Sequence, residues 1–277
     1  MKEILNYKLI ASDLDGTLLK DDKTIDPATR ESIQRYIAAG GKFCICTGRM
    51  LPSVEQIAAD LGGSGIATSY AGALVSDLAT GEILYENSLS AEDAAEIAEF
   101  VERDNVHLQF YTGRTYYVNR DDEMLSRYET SCRVKAERVF NRSMASLIRE
   151  KGEKVNKLLI VVEDLERHGQ LLEKYQAKFG ERFWVTRSTL RYIEILSKSC
   201  NKGTALKFMA DYYGVPIEKT IAAGDQLNDE EMLKAAGLGF CVENGNEEMK
   251  KRVRVYPATN NDNAVGKMIE EYGYLRG

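Results

Sequence analysis

The chain has 277 residues, with 37 Lys and Arg against 43 Asp and Glu, so its formal net charge is −6. This acidic balance argues against a nucleic-acid-binding protein, because such proteins concentrate positive charge. The length favours about two domains, and no stretch of the sequence is apolar for long enough to span a membrane. The five cysteines are odd in number and scattered, which predicts free thiols and a cytoplasmic location.

Near the amino terminus, a short apolar run leads directly into two carboxylates and a glycine. The run Leu9–Ala11 is typical of a buried strand and is too short for a useful helix. Asp13 and Asp15 project to the same side of an extended chain, where they repel each other unless a cation or a proton lies between them. Taken alone, the Asp-Leu-Asp-Gly sequence is equally typical of a simple turn.

The next residues alternate between helix and strand signals. Asp26 followed by Pro27 predicts a helix start, with Asp26 as the N-cap. Alternating helices and strands predict right-handed crossovers and a parallel sheet. The other elements predicted here are a strand over residues 42–46, a helix over 52–61, a strand over 65–69 and a hairpin over 74–85.

The pattern changes at about residue 87 and the first pattern resumes at Asn201. Between these points several strands follow one another with few helices, which predicts an α+β domain on a mostly antiparallel sheet. The predicted elements are helices over 91–103 and 165–179 and strands over 106–111, 115–119, 155–162, 183–186 and 190–196. We therefore predict an α/β core built from residues 1–86 and 196–277, with residues 87–195 inserted as a second domain.

After Asn201 the sequence predicts a helix, a strand over 220–225, a second helix, strands over 239–242 and 253–256, and a closing helix over 264–272. The carboxyl ends of parallel strands lie on one edge of a sheet, where ligands bind. Polar side chains follow three of the predicted strands, and these are Asp13 and Asp15, Thr47, and Asp225 with Asn228 and Asp229. Lys202 lies at the start of a predicted helix.

Each of these groups also has a simpler structural interpretation. Thr47 is compatible with an ordinary strand-end hydroxyl, Lys202 with a solvated helix residue, and the last three residues with helix capping. Together they favour an ion site, because each close carboxylate pair costs roughly 4 kcal/mol at an effective dielectric of about 20. A divalent cation and Lys202 would offset this repulsion and accept a phosphate dianion. Oxygen ligands favour Mg²⁺ over Zn²⁺, and phosphoryl transfer needs this kind of charge neutralisation.

Four blocks of the sequence resemble the four motifs of the haloacid dehalogenase superfamily, and more narrowly its Cof-type sugar-phosphate phosphatases. The blocks are Asp13-Leu14-Asp15-Gly16-Thr17-Leu18-Leu19, Thr47-Gly48-Arg49, Lys202-Gly203-x-Ala205-Leu206 and Gly224-Asp225-x-x-Asn228-Asp229-x-x-Met232. The resemblance extends over nearly the whole chain. It implies a Rossmann-like parallel-sheet core with an α/β cap domain inserted between the second and third motifs.

The resemblance also implies roles for individual residues. Asp13 would be the nucleophile that becomes an aspartyl-phosphate, and Asp15 the general acid/base. Mg²⁺ would be held by the carboxylates of Asp13 and Asp225 and by the backbone carbonyl of Asp15, with Asp229 supporting Lys202 and the metal-bound waters. The residues expected to hold the phosphate oxygens are Leu14, Thr47, Gly48, Lys202 and Asn228.

Two segments depart from the pattern of this family. Tyr70-Ala71-Gly72-Ala73 stands where members often have Asn-Gly-Ala, and Cys241–Asn246 replaces a common Ala-Met-Gly-Asn-Ala. We expect these differences to bear on substrate contacts and not on the chemistry. The expected partner is a small phosphorylated metabolite, with sugar phosphates as the leading candidates and nucleotides or flavin mononucleotide as others. A phosphomutase and a non-catalytic phosphate-binding module are the alternative functions.

Overall fold

The computed structural model describes residues 4–62 and 65–275. The chain divides into two compact units. Unit 1 consists of Met1–Gly48, Val54–Tyr85 and Asn201–Gly277, and unit 2 consists of Arg49–Ser53 and Glu86–Cys200. Among the described residues, no helix combines the length and the apolar character that crossing a bilayer requires.

The amino-terminal elements alternate between strand and helix, as predicted. They are β1 (Leu9–Ser12), α1 (Pro27–Ala38), β2 (Lys42–Cys46), α2 (Leu51–Asp60), β3 (Ile66–Ser69), β4 (Leu74–Asp77) and β5 (Ile83–Glu86). The predicted start of α1 is confirmed, since the Asp26 side chain accepts hydrogen bonds from the amides of Ala28 and Thr29 and Pro27 is the first helical residue.

Unit 2 contains six strands and four helices among its described residues. They are α3 (Ala91–Glu102), β6 (His107–Thr112), β7 (Thr115–Val118), α4 (Glu123–Cys132), β8 (Glu137–Arg138), α5 (Met144–Lys151), β9 (Lys157–Val161), α6 (Leu165–Phe179), β10 (Phe183–Arg187) and β11 (Tyr192–Ser197). Their order in the sheet is β10-β11-β9-β6-β7-β8. The pairs are antiparallel except for β7 with β8, so the predicted mostly antiparallel sheet is confirmed.

Three of these elements, α4, β8 and α5, were not predicted from the sequence. Both helices begin at recognisable N-caps, because the side chain of Asp122 accepts from the amide of Leu125 and that of Ser143 from the amide of Ser146. The side chain of Glu129 in α4 is 2% exposed and accepts a hydrogen bond from the amide of Ala136, which fixes this helix to the segment before β8.

The carboxyl-terminal segment returns to unit 1. Its elements are α7 (Lys202–Tyr212), β12 (Thr220–Gly224), α8 (Glu230–Ala235), β13 (Leu238–Val242), α9 (Glu247–Lys250), β14 (Arg254–Tyr256) and α10 (Ala264–Met268). A 3₁₀ turn at Leu227–Asp229 precedes α8. The predicted closing helix is α-helical only to Met268 and continues as a π-helical turn at Ile269–Gly273.

The sheet of unit 1 has the order β14-β13-β12-β1-β2-β3-β4-β5. Its strands are parallel from β14 to β3, and β4 is antiparallel to β3. Ser12, the last residue of β1, pairs with Ala223 on one side and Ile45 on the other. The residues that follow β1, β2 and β12 therefore emerge together at the carboxyl edge of the sheet. The predicted α/β fold with a largely parallel sheet is confirmed.

Alternating strand residues build a core on each face of this sheet. Ile10, Ile45 and Ile221 pack with apolar residues of α1, α2 and α10. Leu9, Cys44 and Ala222 pack with those of α7 and α8 on the other face. The five cysteines are buried, and none of them forms a disulfide bond. In unit 2, one face of the sheet packs in the same way against α3, α5 and α6.

The turn after β3 braces the carboxyl edge of the unit 1 sheet. Tyr70, Ala71 and Gly72 all have positive φ, at 53°, 55° and 104°. The amide of Ala71 donates to the carbonyl of Thr47 at 2.9 Å. A Cβ atom added to Gly72 would lie 2.4 Å from the carbonyl oxygen of Asn201, directly before α7. The segment that departs from the family pattern therefore ties the end of β2 to the start of α7.

We expect Gly72→Ala to destabilise the protein by about 3 kcal/mol or more, because it combines an unfavourable φ with a backbone clash. Gly40→Ala is the matched control, since Gly40 has a φ of 100° and no atom within 4 Å of an added Cβ. The control should lose only about 1–2 kcal/mol of conformational strain. Urea unfolding of both variants measures the difference, and equal losses would show that the contact with Asn201 has no energetic weight.

Candidate active site

A buried lysine joins two of the aspartates at the carboxyl edge of the sheet. The Nζ atom of Lys202 lies 2.5 Å from Oδ1 of Asp13 and 2.5 Å from Oδ1 of Asp229. The Lys202 side chain is 1% exposed. It is the first residue of α7, whose N-cap Asn201 accepts a hydrogen bond from the amide of Thr204. The helix start therefore fixes the ammonium group between two carboxylates that are far apart in sequence.

Asp229 organises the segment that follows β12. Its Oδ2 atom accepts hydrogen bonds from the amides of Asp225 and Gln226, both at 3.0 Å, while its Oδ1 atom contacts Lys202. Both carboxylate oxygens of Asp229 are thus engaged with protein donors. This arrangement fits the supporting role predicted for Asp229.

Asp225 lies against the segment that follows β1. Its Oδ1 atom accepts from the hydroxyl of Thr17 at 3.1 Å and its Oδ2 atom from the side-chain amide of Gln226 at 2.9 Å. A Cβ atom on Gly16 would lie 2.6 Å from Oδ2 of Asp225, and the φ of Gly16 is +81°. Only glycine satisfies both requirements, so the glycine of the first motif permits the close approach of Asp225.

Among the described residues, three carboxylates lie close enough together to hold a metal ion. Asp13, Asp225 and Asp229 each offer a carboxylate oxygen, these atoms lie within 4.8 Å of one another, and all three residues are buried. A donor set made only of oxygen fits a hard divalent cation. Both oxygens of Asp225 and both oxygens of Asp229 already contact protein donors, so the choice of Asp13 and Asp225 as the direct ligands stays a prediction.

The electrostatics of this cluster show an excess of negative charge. Burial raises the pKa of Asp13 well above its ordinary value, and Asp229 and Asp225 raise it further while Lys202 opposes them. Burial and the neighbouring Asp229 raise the pKa of Asp225 to about 6. Burial disfavours the charge on Lys202, yet Asp13 and Asp229 raise its pKa above the ordinary value. One ammonium group therefore does not fully compensate the three carboxylates.

Asp15 lies in a different environment from Asp13. Its side chain is 41% exposed, and its Oδ1 atom accepts a hydrogen bond from Nζ of Lys23 at 2.9 Å. The side chain of Asp13, in contrast, is 9% exposed. The first motif thus presents one carboxylate inside the buried cluster and one that water can reach.

The other residues predicted for phosphate binding lie along the same edge. Thr47 is buried and its amide donates to the carbonyl of Thr68 at 3.2 Å. Leu14 and Gly48 directly follow Asp13 and Thr47, and Asn228 lies partly exposed in the 3₁₀ turn before α8. Their contact with a phosphate group stays a prediction.

Three residues of the site received no role from the sequence. Thr17 and Gln226 both donate to the carboxylate of Asp225. Both residues lie inside or beside the recognised motifs, so the sequence indicated that they are near the site. It did not indicate that their side chains contact Asp225. Asn244, which contacts the carbonyl of Gly16 at 2.8 Å, carries no local signal because its partner lies 228 residues away.

The sequence matches the haloacid dehalogenase-like hydrolase family over residues 10–269. The chain belongs to this family. Among curated relatives it is 33% identical over 272 residues to the 5-amino-6-(5-phospho-D-ribitylamino)uracil phosphatase YitU of Bacillus subtilis, covering 95% of this chain and 97% of the relative. It is 30% identical over 292 residues to YwtE of Bacillus subtilis, which carries the same enzyme name, with 95% and 97% covered.

Two solved structures have the same fold as this chain. An X-ray structure of a Thermotoga maritima protein matches with a TM-score of 0.82 and 29% identity, covering 96% of this chain and 97% of the other. A haloacid dehalogenase-like hydrolase from Bacteroides thetaiotaomicron matches with a TM-score of 0.84 and 25% identity, covering 96% and 99%. The predicted superfamily and the predicted enzyme class, a phosphatase of this family, are confirmed.

The raised pKa of Asp225 leads to a test in the absence of divalent cations. A carboxyl group whose pKa is higher in the folded than in the unfolded state destabilises the folded protein when it ionises. For Asp225 this loss of stability develops as the pH rises from about 3.8, its ordinary pKa, to about 6. Asp225→Asn should therefore be more stable than wild type at pH 8 in EDTA, by at most about 3 kcal/mol.

The advantage of Asp225→Asn should shrink as the pH falls towards 4, because the wild-type carboxyl group then becomes neutral too. Chemical unfolding of both proteins at pH 4, 6 and 8 measures this trend. Asp22→Asn serves as the control, since Asp22 is exposed and the pKa of Asp22 is lowered by hydrogen bonds from Thr24. A variant less stable than wild type at pH 8 would contradict the charge excess.

Proposed function

We propose that this chain is a Mg²⁺-dependent phosphatase that hydrolyses phosphate monoesters of small metabolites through an aspartyl-phosphate on Asp13. The observation that carries the proposal is the buried contact of Lys202 with Asp13, beside Asp225 and Asp229. It gives a nucleophilic carboxylate a fixed cationic neighbour and a set of oxygen donors in a buried site.

In the first half-reaction, a carboxylate oxygen of Asp13 attacks the phosphorus atom of the ester, and the bond from phosphorus to the leaving oxygen breaks. Asp15 gives its proton to that oxygen, so the product leaves as an alcohol. In the second half-reaction, the Asp15 carboxylate takes a proton from water. The water oxygen then attacks the phosphorus atom, which releases inorganic phosphate and restores the Asp13 carboxylate. The different exposure of Asp13 and Asp15 supports this division of roles.

Asp13, Asp225 and the backbone carbonyl of Asp15 would hold the cation, and Asp229 would hold Lys202 and the amides that precede the 3₁₀ turn. Mg²⁺, when bound, supplies charge neutralisation and orientation of the phosphate oxygens. The remaining phosphate contacts are assigned to Lys202, the Thr47 hydroxyl, the amides of Leu14 and Gly48, and the side chain of Asn228.

For the substrate we propose a phosphorylated sugar or sugar alcohol. Two relatives of 33% and 30% identity are named as phosphatases of a ribityl phosphate attached to an aminouracil, which makes that compound the first candidate to test. We further propose that residues 87–195 act as the cap domain that selects the leaving group. The five buried cysteines, none of which forms a disulfide bond, support a cytoplasmic location.

Phosphate release from a panel of esters tests the proposal. The panel contains 5-amino-6-(5-phospho-D-ribitylamino)uracil, hexose and pentose phosphates, nucleotides and flavin mononucleotide, each with Mg²⁺ and with EDTA. We expect turnover only with Mg²⁺. Asp13→Asn should lower kcat by a factor of about 10⁴ or more, because the nucleophile is lost.

Asp22→Asn is the control variant, since Asp22 lies in the same segment of the chain but contacts Thr24 and Lys20. It should keep wild-type turnover. Equal activity of Asp13→Asn and wild type would falsify the proposal. Interconversion of sugar phosphate isomers without phosphate release would instead identify a phosphomutase, and tight Mg²⁺ binding without turnover of any ester would identify a phosphate-binding module.

A further inference from the structure

The side chain of Asn244 connects the segment after β13 to the first motif. Its Nδ2 atom donates to the carbonyl of Gly16 at 2.8 Å, and its Oδ1 atom accepts from the amide of Asn260 at 2.8 Å. Asn244 lies in Cys241–Asn246, the segment that differs from the common family pattern. Both ends of one side-chain amide are thus used to join two distant parts of unit 1.

Asn260 provides a rigid anchor for this contact. It is 4% exposed, and its Nδ2 atom donates to the carbonyl of Leu19 at 2.9 Å and to Oδ1 of Asp21 at 3.0 Å. The two asparagines therefore hold the segment after Asp15 at Gly16 and again at Leu19. The backbone amide of Asn260 is therefore held in place. Because the Asn244 side chain bonds this amide at one end and Gly16 at the other, it cannot rotate freely.

The carbonyl of Gly16 belongs to the same peptide group as the amide of Thr17. Fixing this carbonyl restrains the peptide plane, and with it the position of the Cα atom from which the Thr17 side chain extends. The Thr17 hydroxyl donates to Oδ1 of Asp225 at 3.1 Å. A hydrogen-bonded path therefore runs from Asn244 through the Gly16–Thr17 peptide to a carboxylate that we assign to the cation.

The same segment also holds the backbone of Asp225. The amide of Asn246 donates to the carbonyl of Asp225 at 2.8 Å. A Cβ atom on Gly245 would lie 2.3 Å from the Cys241 sulfur and 3.0 Å from the carbonyl oxygen of Asp225, so this residue must be small. Asn246 thus holds the backbone of Asp225 directly. Asn244 acts on the Asp225 side chain indirectly, through Gly16 and Thr17.

We propose that Asn244 is a positioning residue that sets the orientation of the Asp225 carboxylate for Mg²⁺. The inference rests on the proposed function, because it presumes that Asp225 is a metal ligand. Loss of a hydrogen-bond partner behind a metal ligand typically lowers metal affinity about 10–100-fold. We expect Asn244→Ala to weaken Mg²⁺ binding by a factor of about 10.

The test measures how strongly MgCl₂ stabilises the substrate-free protein, using thermal unfolding over a range of MgCl₂ concentrations, with isothermal titration calorimetry as a second readout. Two variants remove the hydrogen bonds of Asn244 to Gly16 and Asn260. They are Asn244→Ala, and Asn244→Leu, which keeps the size of the side chain without its donor or acceptor. Both should keep the unfolding temperature of wild type in EDTA within a few degrees, because Asn244 is exposed.

Asn261→Ala is the matched control. Asn261 belongs to the same turn as Asn260, and its side chain bonds Asp21, five residues beyond Gly16. We expect wild-type Mg²⁺ affinity for this variant. A loss of affinity equal to that of Asn244→Ala would mean that general stiffness of the segment matters and not the contact with Gly16, which would overturn the inference.

Steady-state kinetics separate positioning from simple structural damage. For Asn244→Ala the MgCl₂ concentration for half-maximal rate should rise about 10-fold, while kcat at saturating MgCl₂ and the KM for the ester stay within about twofold of wild type. An unchanged Mg²⁺ affinity in both variants would refute the role of Asn244. If wild type itself binds no Mg²⁺, the proposed function fails, and the two failures are thereby distinguished.

Discussion

Lys202 lies between Asp13 and Asp229 with almost no exposure to water, and the arrangement of unit 1 depends on this contact. A buried ammonium group is costly unless it is paired, and buried carboxylates are equally costly. The pair of contacts satisfies the lysine, but the cluster still holds more acidic groups than basic ones, and burial together with the neighbouring Asp229 raises the pKa of Asp225 to about 6. A site in this state favours a further cation, and with it a dianionic ligand.

The parallel sheet makes this concentration of charge possible. β1 lies between β12 and β2, so the segments after these strands meet although they are far apart in the chain. Glycine at position 16 and the strained turn at Tyr70–Gly72 then allow backbone and side chains to approach more closely than ordinary residues would permit. The hydrogen bonds of Asn244 and Asn260 hold the segment after Asp15 at Gly16 and Leu19, next to the carboxylates. The strained turn and the buried charges cost stability at the edge of the sheet, where we propose that the chemistry takes place, and the apolar cores on both faces of the sheet offset this cost.

The sequence was sufficient for the features that depend on local chemistry. The Asp26-Pro27 start of α1, the strands that end in polar residues and the meeting of Asp13, Lys202, Asp225 and Asp229 were all predictable, because capping, burial and parallel topology follow general rules. Helices α4 and α5 were missed even though Asp122 and Ser143 are good N-caps. Both helices are short, and α4 is held in place by a tertiary contact, that of Glu129 with the amide of Ala136, which one sequence does not reveal. The contact between Asn244 and Gly16 could not be read from one sequence, because a side-chain amide has no preferred partner until folding brings one near. The roles assigned to individual site residues stay predictions.

We propose that the buried carboxylate of Asp13 becomes covalently phosphorylated during turnover. Rapid quenching with borohydride during hydrolysis of the best ester in MgCl₂, followed by mass spectrometry of peptides, tests it directly. We predict that the acyl-phosphate is reduced to homoserine at position 13 alone, and that no such product forms in EDTA. Full turnover with an unmodified Asp13, or modification at Asp15 or Asp225 instead, would contradict it.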